Sequence, residues 1–351
     1  MLFYLALVFC VSCLLSIGYF FPHKEKVVQM IVVVILVCIA GFRYHVGIDY
    51  DNYIVWFDDK KRDLDFEFGY LAIMKFFRTL HLSYHFFFFF FSFATVLLVY
   101  LGIKKYTNNT IVAFLFYFLI PELYLGSFNL IRQSFSVGIS FYAFYFLINK
   151  KYFVFAFLMF LGISIHYSAI LPLLVFILVY KLASQINSKH IALMLLGSLV
   201  LSQLNFIQIF EFLFKNTRYI YYFDSPRVNV SLFKTLVLNG VALFVLFHFE
   251  KMKNKYPIQK YIMVLYFCSV IFMNLFNTFA NIERLTYFFK IFEIIVIADL
   301  IYLGAKERKQ WLLSCFYIYY LSAFIHTLNK DIQIKSTSKL IPYQTFILNN
   351  Y

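Results

Sequence analysis

The stretch IVAFLFYFLIPELYLGSFNLIRQSFSVGISFYAFYFLI, residues 111–148, places two apolar runs, Ile111–Ile120 and Phe135–Ile148, on either side of a single arginine, Arg132. Hydrophobic residues make up 63% of the chain and charged residues 14%, against roughly half and a quarter in soluble domains. The composition predicts an all-α, polytopic integral membrane protein. In such a protein an ionisable group among apolar residues indicates a functional site, because leaving it unpaired costs a few kcal/mol or more.

Apolar runs recur along the whole chain, and no linker separates them. A transmembrane helix needs about 20 apolar residues, so the chain predicts a single transmembrane domain, residues 1–351, with about 10–12 spans. The predicted spans are Met1–Phe20, Val27–Phe42, Phe86–Ile103, Ile111–Leu125, Leu130–Ile148, two halves of Tyr152–Tyr180 that turn near His166, Ile191–Phe206, Leu232–Phe247, Ile258–Phe276, Leu285–Leu303 and Trp311–Leu328.

Lysine pairs set the predicted orientation. Lys104-Lys105 and Lys150-Lys151 follow apolar runs, which is typical of cytoplasmic loops. The later lysines also lie on the cytoplasmic side only if Tyr152–Tyr180 crosses the membrane twice. Both termini are then on the outer side. The outer side then holds a long loop, residues 43–85, with an amphipathic helix from Phe66 to Leu80 in the membrane interface, and a C-terminal tail, residues 328–351.

Charge and cysteine content exclude some classes. The net charge is +14, which we assign to cytoplasmic lysines and to a site for an anionic lipid-linked substrate, so we expect no nucleic-acid partner. The five cysteines lie inside apolar runs without metal-type spacing, and we interpret them as small buried hydrophobes. The sequence also has no Gly-rich phosphate loop and no zinc-type helix motif, so we expect no metal site and no cofactor.

Arg132 and Gln133 begin a predicted span on the outer side. An arginine fork matches phosphate oxygens, and the N–H groups at a helix start point toward the same place. The pair is suited to a diphosphate. The alternative is an ion pair between Arg132 and an acid such as Glu122.

Other polar points lie on the same predicted side, and we expect them to converge around Arg132. Each also has a structural interpretation. Arg43 and Asp49 can form a charged patch, or Arg43 can simply extend its charge to the membrane surface. Glu67 can act in catalysis or favour the start of its helix. His166 can act as a general base or pack by hydrogen bonding. Arg284 can bind the same diphosphate or pair with Glu283.

The order of these motifs resembles the EpsG family, among the Wzy-type oligosaccharide-repeat polymerases of bacterial surface polysaccharides. The resemblance extends from Arg43 to Tyr287. It rests on Arg43…Gly47-Ile48-Asp49-Tyr50…Tyr53, Glu67-x-Gly69-Tyr70, Asn129-x-Ile131-Arg132-Gln133, His166-x-Ser168-Ala169, and Arg284 with Tyr287.

The resemblance implies an enzyme of the bacterial cytoplasmic (inner) membrane. It would transfer a growing glycan from undecaprenyl diphosphate to a hydroxyl of the next lipid-linked repeat unit at the outer face, without a nucleotide sugar or an obligatory metal. Implied partners are the lipid-linked oligosaccharide, the bilayer, a chain-length regulator and a flippase.

The chemistry of this transfer suggests a role for each candidate residue. Departure of a diphosphate builds negative charge that fixed arginines stabilise, and the acceptor hydroxyl needs a base. We expect the catalytic groups near the acceptor to be His166, Asp49 and Glu67, and the substrate-binding groups to be Arg43, Tyr53, Arg132, Gln133, Arg284 and Tyr287.

Two other functions fit the same features. A membrane O-acyltransferase of extracellular glycan would also use an intramembrane histidine. A flippase for lipid-linked oligosaccharides would also combine many spans with a cationic cavity. The clustering of polar motifs on one predicted side favours chemistry at that face over transport.

Overall fold

The computed structural model describes residues 1–59, 66–202, 232–276, 282–334 and 339–347, with only the backbone at residues 282–283. Over these ranges the chain is helical, with no strand beyond an isolated bridge between Arg43 and Thr345. The helices are α1 Leu2–Phe20, α2 Glu25–Gly41, α3 Tyr50–Asp58, α4 Phe68–Thr79, α5 Tyr84–Tyr106, α6 Thr110–Leu119, α7 Ile131–Ile148, α8 Tyr152–Ile165, α9 Ile170–Leu182, α10 Ser188–Leu201, α11 Leu232–Phe247, α12 Phe249–Lys255, α13 Gln259–Leu275, α14 Ile282–Lys290, α15 Glu293–Lys306 and α16 Trp311–Gln333.

The apolar helices confirm the all-α membrane class. Among the described residues, α1, α5 and α16 are each long and apolar enough to cross a membrane, and α11 with α12 forms a pair bent by 51° that passes the same test together. Further apolar helices of 10–17 residues are shorter than a full span. The number of crossings and the sidedness of the loops stay predictions.

Two predicted spans differ from the observed helices. The span Ile111–Leu125 is a helix only as far as Leu119, because Pro121 disfavours helical backbone at the residue before it, and Ile120 is indeed extended. The predicted span Leu285–Leu303 is two helices, α14 and α15, separated at Ile291 and Phe292. Lys290 and Glu293 face each other across this break at 3.8 Å.

The long run Tyr152–Tyr180 is interrupted where the sequence predicts. Helix α8 ends at Ile165, His166 has extended backbone, and a 3₁₀ turn over Tyr167–Ala169 leads into α9. Pro172 falls in the first turn of α9, where its missing N–H has no intrahelical acceptor to lose. The break near His166 is therefore observed, and the double crossing of the membrane by Tyr152–Tyr180 stays a prediction.

The loop after α2 contains more structure than the sequence predicts. The amphipathic helix is present as α4, with Tyr70, Met74 and Phe77 buried and Phe68 and Phe76 exposed. The preceding segment, expected as loop, forms the additional helix α3.

Helix α3 is held at its C-terminal end by one arginine of α4. Arg78 donates from Nε to the carbonyl of Phe57 at 2.6 Å and from Nη2 to the carbonyl of Trp56 at 2.8 Å. These carbonyls belong to the last turn of α3, where backbone acceptors have no intrahelical donor. A cation at a helix C-terminus is also favoured by the helix dipole. Arg78 thus fixes α3 on α4.

The chain divides into two compact units, residues 1–173 with 297–351, and residues 174–296. In the first unit α2 packs on α5, α5 on α7, α7 on α8, and α4 on α8. In the second, α13 contacts α10, α11 and α14. Asn239 and Asn274 form reciprocal amide hydrogen bonds of 2.9 Å there, and Asn274 also donates to Ser198 at 3.0 Å.

The core of the first unit is largely aromatic. It joins α3, α4, α5 and α7, and it surrounds the N-terminal turns of α7, where Arg132 lies. Aromatic side chains bury a large apolar area with few rotatable bonds, so such a core is dense and rigid. Its buried members are Tyr50, Tyr53, Phe57, Tyr70, Met74, Phe77, Phe87, Phe88, Phe91, Ile131, Phe135, Ile139 and Ile165.

Candidate functional site

The carboxylate of Glu67 joins three separate parts of the chain. Its Oε2 accepts a hydrogen bond from Arg132 Nη1 at 2.7 Å, and its Oε1 lies 3.0 Å from His166 Nδ1. The same Oε1 lies 3.4 Å from the backbone nitrogen of Tyr167. Only 9% of the Glu67 side chain is exposed, against 21% for Arg132 and 25% for His166. The anion is therefore buried beneath a cation and an imidazole that both reach the surface of the chain.

Gly69 permits this arrangement. A Cβ at position 69 would lie 2.2 Å from Ser164 Oγ and 2.9 Å from the Ser164 carbonyl oxygen, closer than real Cβ contacts. The absence of a side chain lets the first turn of α4 approach the last turn of α8. Glu67 stands immediately before α4 and His166 immediately after α8, so this contact brings the two residues together.

Arg132 is the second residue of α7, and aromatic rings surround its guanidinium. The guanidinium carbon lies 5.1 Å from the ring centre of Tyr70, 5.4 Å from that of Phe66 and 5.8 Å from that of Trp56. The Tyr53 hydroxyl accepts a hydrogen bond from Arg132. Cation–π contacts of this kind are each worth about 0.5–2 kcal/mol, so the rings hold the fork in a fixed orientation.

The environment of Glu67 sets its charge. Burial alone would raise its pKa, but the hydrogen bond with His166 and the charge of Arg132 outweigh burial and lower the pKa to about 2. Glu67 is consequently an anion at neutral pH. Because an ionised carboxylate can only accept hydrogen bonds, the proton of the shared bond belongs to His166 Nδ1. In neutral His166 the other ring nitrogen, Nε2, is then a hydrogen-bond acceptor.

Arg43, expected at the diphosphate, is instead buried within the protein, with 1% of its surface exposed. Its guanidinium donates to the backbone carbonyls of Ala40, Val46 and Phe128 and lies 4.8 Å from the ring centre of Phe88. These contacts fasten the end of α2 to the segment that leads into α7. In this conformation Arg43 positions the loop, and its direct contact with substrate stays a prediction.

The glycine four residues after Arg43 locks the same two segments together. Gly47 has φ +108°, and a Cβ there would lie 2.7 Å from the Phe128 carbonyl oxygen, so only glycine fits without strain. The next amide, Ile48 N, donates to Asn129 Oδ1 at 2.7 Å. The Arg43–Asp49 loop is thereby set against the segment that leads to Arg132.

Asp49, Tyr53 and Gln133 lie close to this junction. Asp49 is half-buried directly before α3, its backbone carbonyl accepts from Tyr53 N at 3.0 Å, and its charge acts on the Tyr53 hydroxyl. Tyr53 is buried and faces Arg132. Gln133 is buried next to Arg132 in the first turn of α7. All three therefore belong to the neighbourhood of Glu67 and Arg132.

The remaining candidates lie in the second unit. Arg284 is exposed and Tyr287 half-buried on α14, and their expected convergence with Arg132 stays a prediction. The side chain of Glu283, their expected neighbour, is outside the described residues. Within the described ranges no group of three or more His, Cys, Asp or Glu side chains is placed to hold a metal ion.

The sequence reasoning missed Trp56, Phe66 and Tyr70 as the surroundings of Arg132. Helix α3 was not predicted, because its acidic residues made the segment resemble a solvated loop. The helical spacing of Tyr53, Trp56 and Phe57 was the available signal, since residues three and four apart share a helix face. Ring contacts to an arginine more than sixty positions away carry no comparable local signal.

Comparison with known proteins gives one positive finding. A sequence model described as the EpsG family matches residues 26–345, which cover every candidate site residue. No curated protein and no solved structure matches the chain.

Proposed function

Since this chain belongs to the EpsG family, a family of polysaccharide-related membrane proteins, we propose that it is a repeat-unit polymerase. Its reaction transfers a growing glycan from undecaprenyl diphosphate to a hydroxyl of the next lipid-linked repeat unit, at the outer face of the bacterial cytoplasmic membrane. The product is a capsular, extracellular or O-antigen polysaccharide.

The observation that carries the proposal is the double contact of Glu67 with Arg132 and His166. A glycosyl transfer to a hydroxyl needs a base for the acceptor and positive charge for the leaving diphosphate. Here both groups contact the same buried carboxylate. The side chains of His166 and Arg132 are more exposed than that of Glu67. A purely structural ion pair between Arg132 and Glu67 would not require a histidine on the second carboxylate oxygen.

His166 acts as the base in this mechanism. Its Nε2 takes the proton of the acceptor hydroxyl while Nδ1–H remains hydrogen-bonded to Glu67. The ionised Glu67 keeps the imidazole in the correct tautomer and stabilises the imidazolium that forms, the role an aspartate plays beside histidine in hydrolytic triads. The acceptor oxygen forms a bond to the anomeric carbon of the donor. The bond from that carbon to the diphosphate oxygen breaks, and the lipid diphosphate leaves with the electron pair.

Arg132 stabilises the departing diphosphate. Glu67 occupies Nη1, but a guanidinium has five donors in a planar fork, and the rings of Tyr70, Phe66 and Trp56 hold that plane in place. The backbone amides at the start of α7 add donors aimed the same way. Gln133 and Tyr53 orient the groups around this anion, and Asp49 stands near the acceptor.

We assign supporting roles to Arg43, Arg284 and Tyr287. Arg43 contributes through the position of the loop that carries Asp49 and α3. Arg284 and Tyr287 would supply a second contact to the diphosphate. We expect two protein partners for this reaction, a flippase before transfer and a chain-length regulator.

The test is surface-polymer length in cells that carry His166→Asn. Asparagine can keep the hydrogen bond from the Nδ1 position to Glu67 but has no group at the Nε2 position. We expect normal protein level, no long polymer, and single repeats exposed outside. Normal polymer length would refute the polymerase mechanism. Intact polymer without acyl groups would indicate an acyltransferase, and repeats trapped inside would indicate a flippase.

A further inference from the structure

The C-terminal segment, residues 339–347, is bound to the loop that follows α2. An isolated antiparallel bridge pairs Arg43 with Thr345. Two backbone hydrogen bonds flank it, from Tyr44 N to the Gln344 carbonyl at 2.9 Å and from Phe346 N to the Phe42 carbonyl at 3.2 Å. The predicted outer tail is therefore tied to the candidate site over its described part. The family match also extends to residue 345, the position of this bridge.

The segment also contacts the glycine turn that faces α7. Gly47 N donates to the Lys339 carbonyl at 2.9 Å, while the other side of Gly47 packs on Phe128 and Asn129. The loop is consequently held between the C-terminal segment and the chain entering α7. Lys339 adds a second contact, because its Nζ lies 3.7 Å from Asp51 Oδ2 in the first turn of α3.

Asp331, in the last turn of α16, anchors the segment. Its carboxylate oxygen Oδ2 accepts from Leu340 N at 2.7 Å and from Ile341 N at 3.0 Å, and the residue is 4% exposed. Buried hydrogen bonds to an ionised acceptor are stronger than those between neutral groups. Asp331 thus fixes the start of the segment whose end is paired with Arg43.

The other side of the segment packs on the first two helices. The ring of Tyr343 stacks on Phe3 with centres 4.0 Å apart, and its hydroxyl donates to the Ile39 carbonyl at 2.9 Å. Tyr4 donates to the Leu340 carbonyl at 2.9 Å. These contacts give the segment a fixed base, so that it can restrain the loop and is not simply carried along by it.

We propose that Asp331, through the segment 339–347, is a positioning residue for the Glu67 site. It holds the Arg43–Asp49 loop and thereby α3, whose Tyr53 and Trp56 contact Arg132. Release of the segment would loosen these two side chains on the guanidinium while the contact between Glu67 and His166, made by α4 and α8, remains. The role in substrate binding rests on the proposed polymerase function; the mechanical coupling to α3 does not.

The kinetic test uses the purified full chain in proteoliposomes with lipid-diphosphate-linked repeat units. We expect Asp331→Ala to raise KM about tenfold, the effect of losing a hydrogen bond to a charged acceptor, with kcat changed much less. Asp331→Asn retains an acceptor oxygen, so its KM should lie between those of wild type and Asp331→Ala. The control is His326→Ala, at an exposed position on the same helix. We expect it to keep the wild-type KM and kcat. A wild-type KM in Asp331→Ala would overturn the proposal.

Rescue separates positioning from general instability. Residues 44 and 344 lie opposite each other in the antiparallel bridge, at a separation suited to a disulfide. In a background without the five native cysteines, the pair Tyr44→Cys and Gln344→Cys should restore KM in Asp331→Ala when oxidised and not when reduced. If Asp331→Ala does not fold, Phe346→Pro removes one bridge amide, and Phe346→Leu is its control. The same KM for Phe346→Pro and Phe346→Leu would also contradict the proposal.

A readout independent of activity is the emission of Trp56. The chain has two tryptophans, so Trp311→Phe leaves Trp56 as the only reporter. Loosening of α3 should shift its emission to longer wavelength in Asp331→Ala, and the oxidised disulfide should reverse the shift. An unchanged spectrum would overturn the coupling. If Asp331→Ala shows the shift but the wild type makes no polymer, only the proposed function would be refuted.

Discussion

Glu67 and His166 are 99 positions apart in sequence, yet Oε1 of the first lies 3.0 Å from Nδ1 of the second. The contact depends on the close approach of α4 and α8 at Gly69 and Ser164. It gives the histidine at the helix break a defined tautomer, which the proposed role of base requires. Arg132 contacts the other carboxylate oxygen and is the cation that we propose for the diphosphate leaving group.

His166→Asn should separate the two roles of the imidazole. The variant keeps a donor to Glu67 and loses the base, so we expect unfolding temperature to remain near wild type while turnover falls about 100-fold or more. The measurement is the initial rate of chain elongation by purified protein, with His326→Asn as the control. Turnover within a few-fold of wild type would remove His166 from catalysis.

Arg132→Lys and Arg132→Ala should both abolish long polymer while single repeats persist. Lysine keeps the charge but lacks the planar fork that contacts Glu67 and the surrounding rings, and loss of one such donor typically costs about 100-fold in rate. Polymer length in cells with matched protein levels checks this. Arg308→Lys, at an exposed turn, is the control. Normal chain length in either Arg132 variant would contradict its assignment to the diphosphate.

Glu67→Gln should destabilise the protein at neutral pH. Removing one partner of a buried ion pair typically costs about 3–5 kcal/mol, because Arg132 is left without its counter-charge. The measurement is the unfolding temperature in nanodiscs. Glu307→Gln removes a carboxylate from a more exposed ion pair with Lys309 and should have little effect. An unchanged unfolding temperature for Glu67→Gln would contradict the contacts described for this carboxylate.

The stability difference between wild type and Glu67→Gln should depend on pH in a defined direction. The pKa of Glu67 is lowered from 4.5 to about 2 in the folded chain, so its contribution is fully present above pH 4.5 and is lost as the pH falls toward 2. Unfolding temperatures at pH 7, 4.5 and 3 measure this. The difference should narrow at pH 3; a constant difference would show that the carboxylate is not held as an anion.

Gly69→Ala should disrupt the site by steric overlap. The new methyl group would clash with Ser164, and forced repacking typically costs about 1–3 kcal/mol. We expect lower stability and loss of polymer together. Gly240→Ala, where a methyl group meets nothing within 4 Å, should be neutral or slightly stabilising in α11. Equal effects of the two substitutions would contradict the observed helix approach.

The sequence was sufficient for features that depend on local pattern. Apolar runs predicted the membrane class, the mixed spacing of apolar and basic residues predicted α4, and the polar interruption at His166 predicted the end of α8. The pairing of Arg132 was not accessible in this way. Glu122 is close in sequence, whereas the observed partner Glu67 is 65 positions away, and no periodicity reports on such a distance.

Two further features required the three-dimensional structure. Arg43 appeared to be a surface cation, but three backbone carbonyls and the Phe88 ring compensate for its burial. The C-terminal segment was predicted only as an outer tail, because its binding to the Arg43 loop uses backbone groups, which carry no signature in residue type. Both features arise from tertiary packing, which local propensity does not encode.

The central claim is that Glu67, His166 and Arg132 together catalyse transfer of a glycan between lipid diphosphates. The most direct measurement is reconstitution of purified wild type and His166→Asn in proteoliposomes with lipid-diphosphate-linked repeat units, followed by determination of product length and released lipid diphosphate. We predict long chains with one lipid diphosphate released per bond formed for wild type, and neither product for His166→Asn. Absence of chain elongation by folded wild type, or equal elongation by both proteins, would contradict the account.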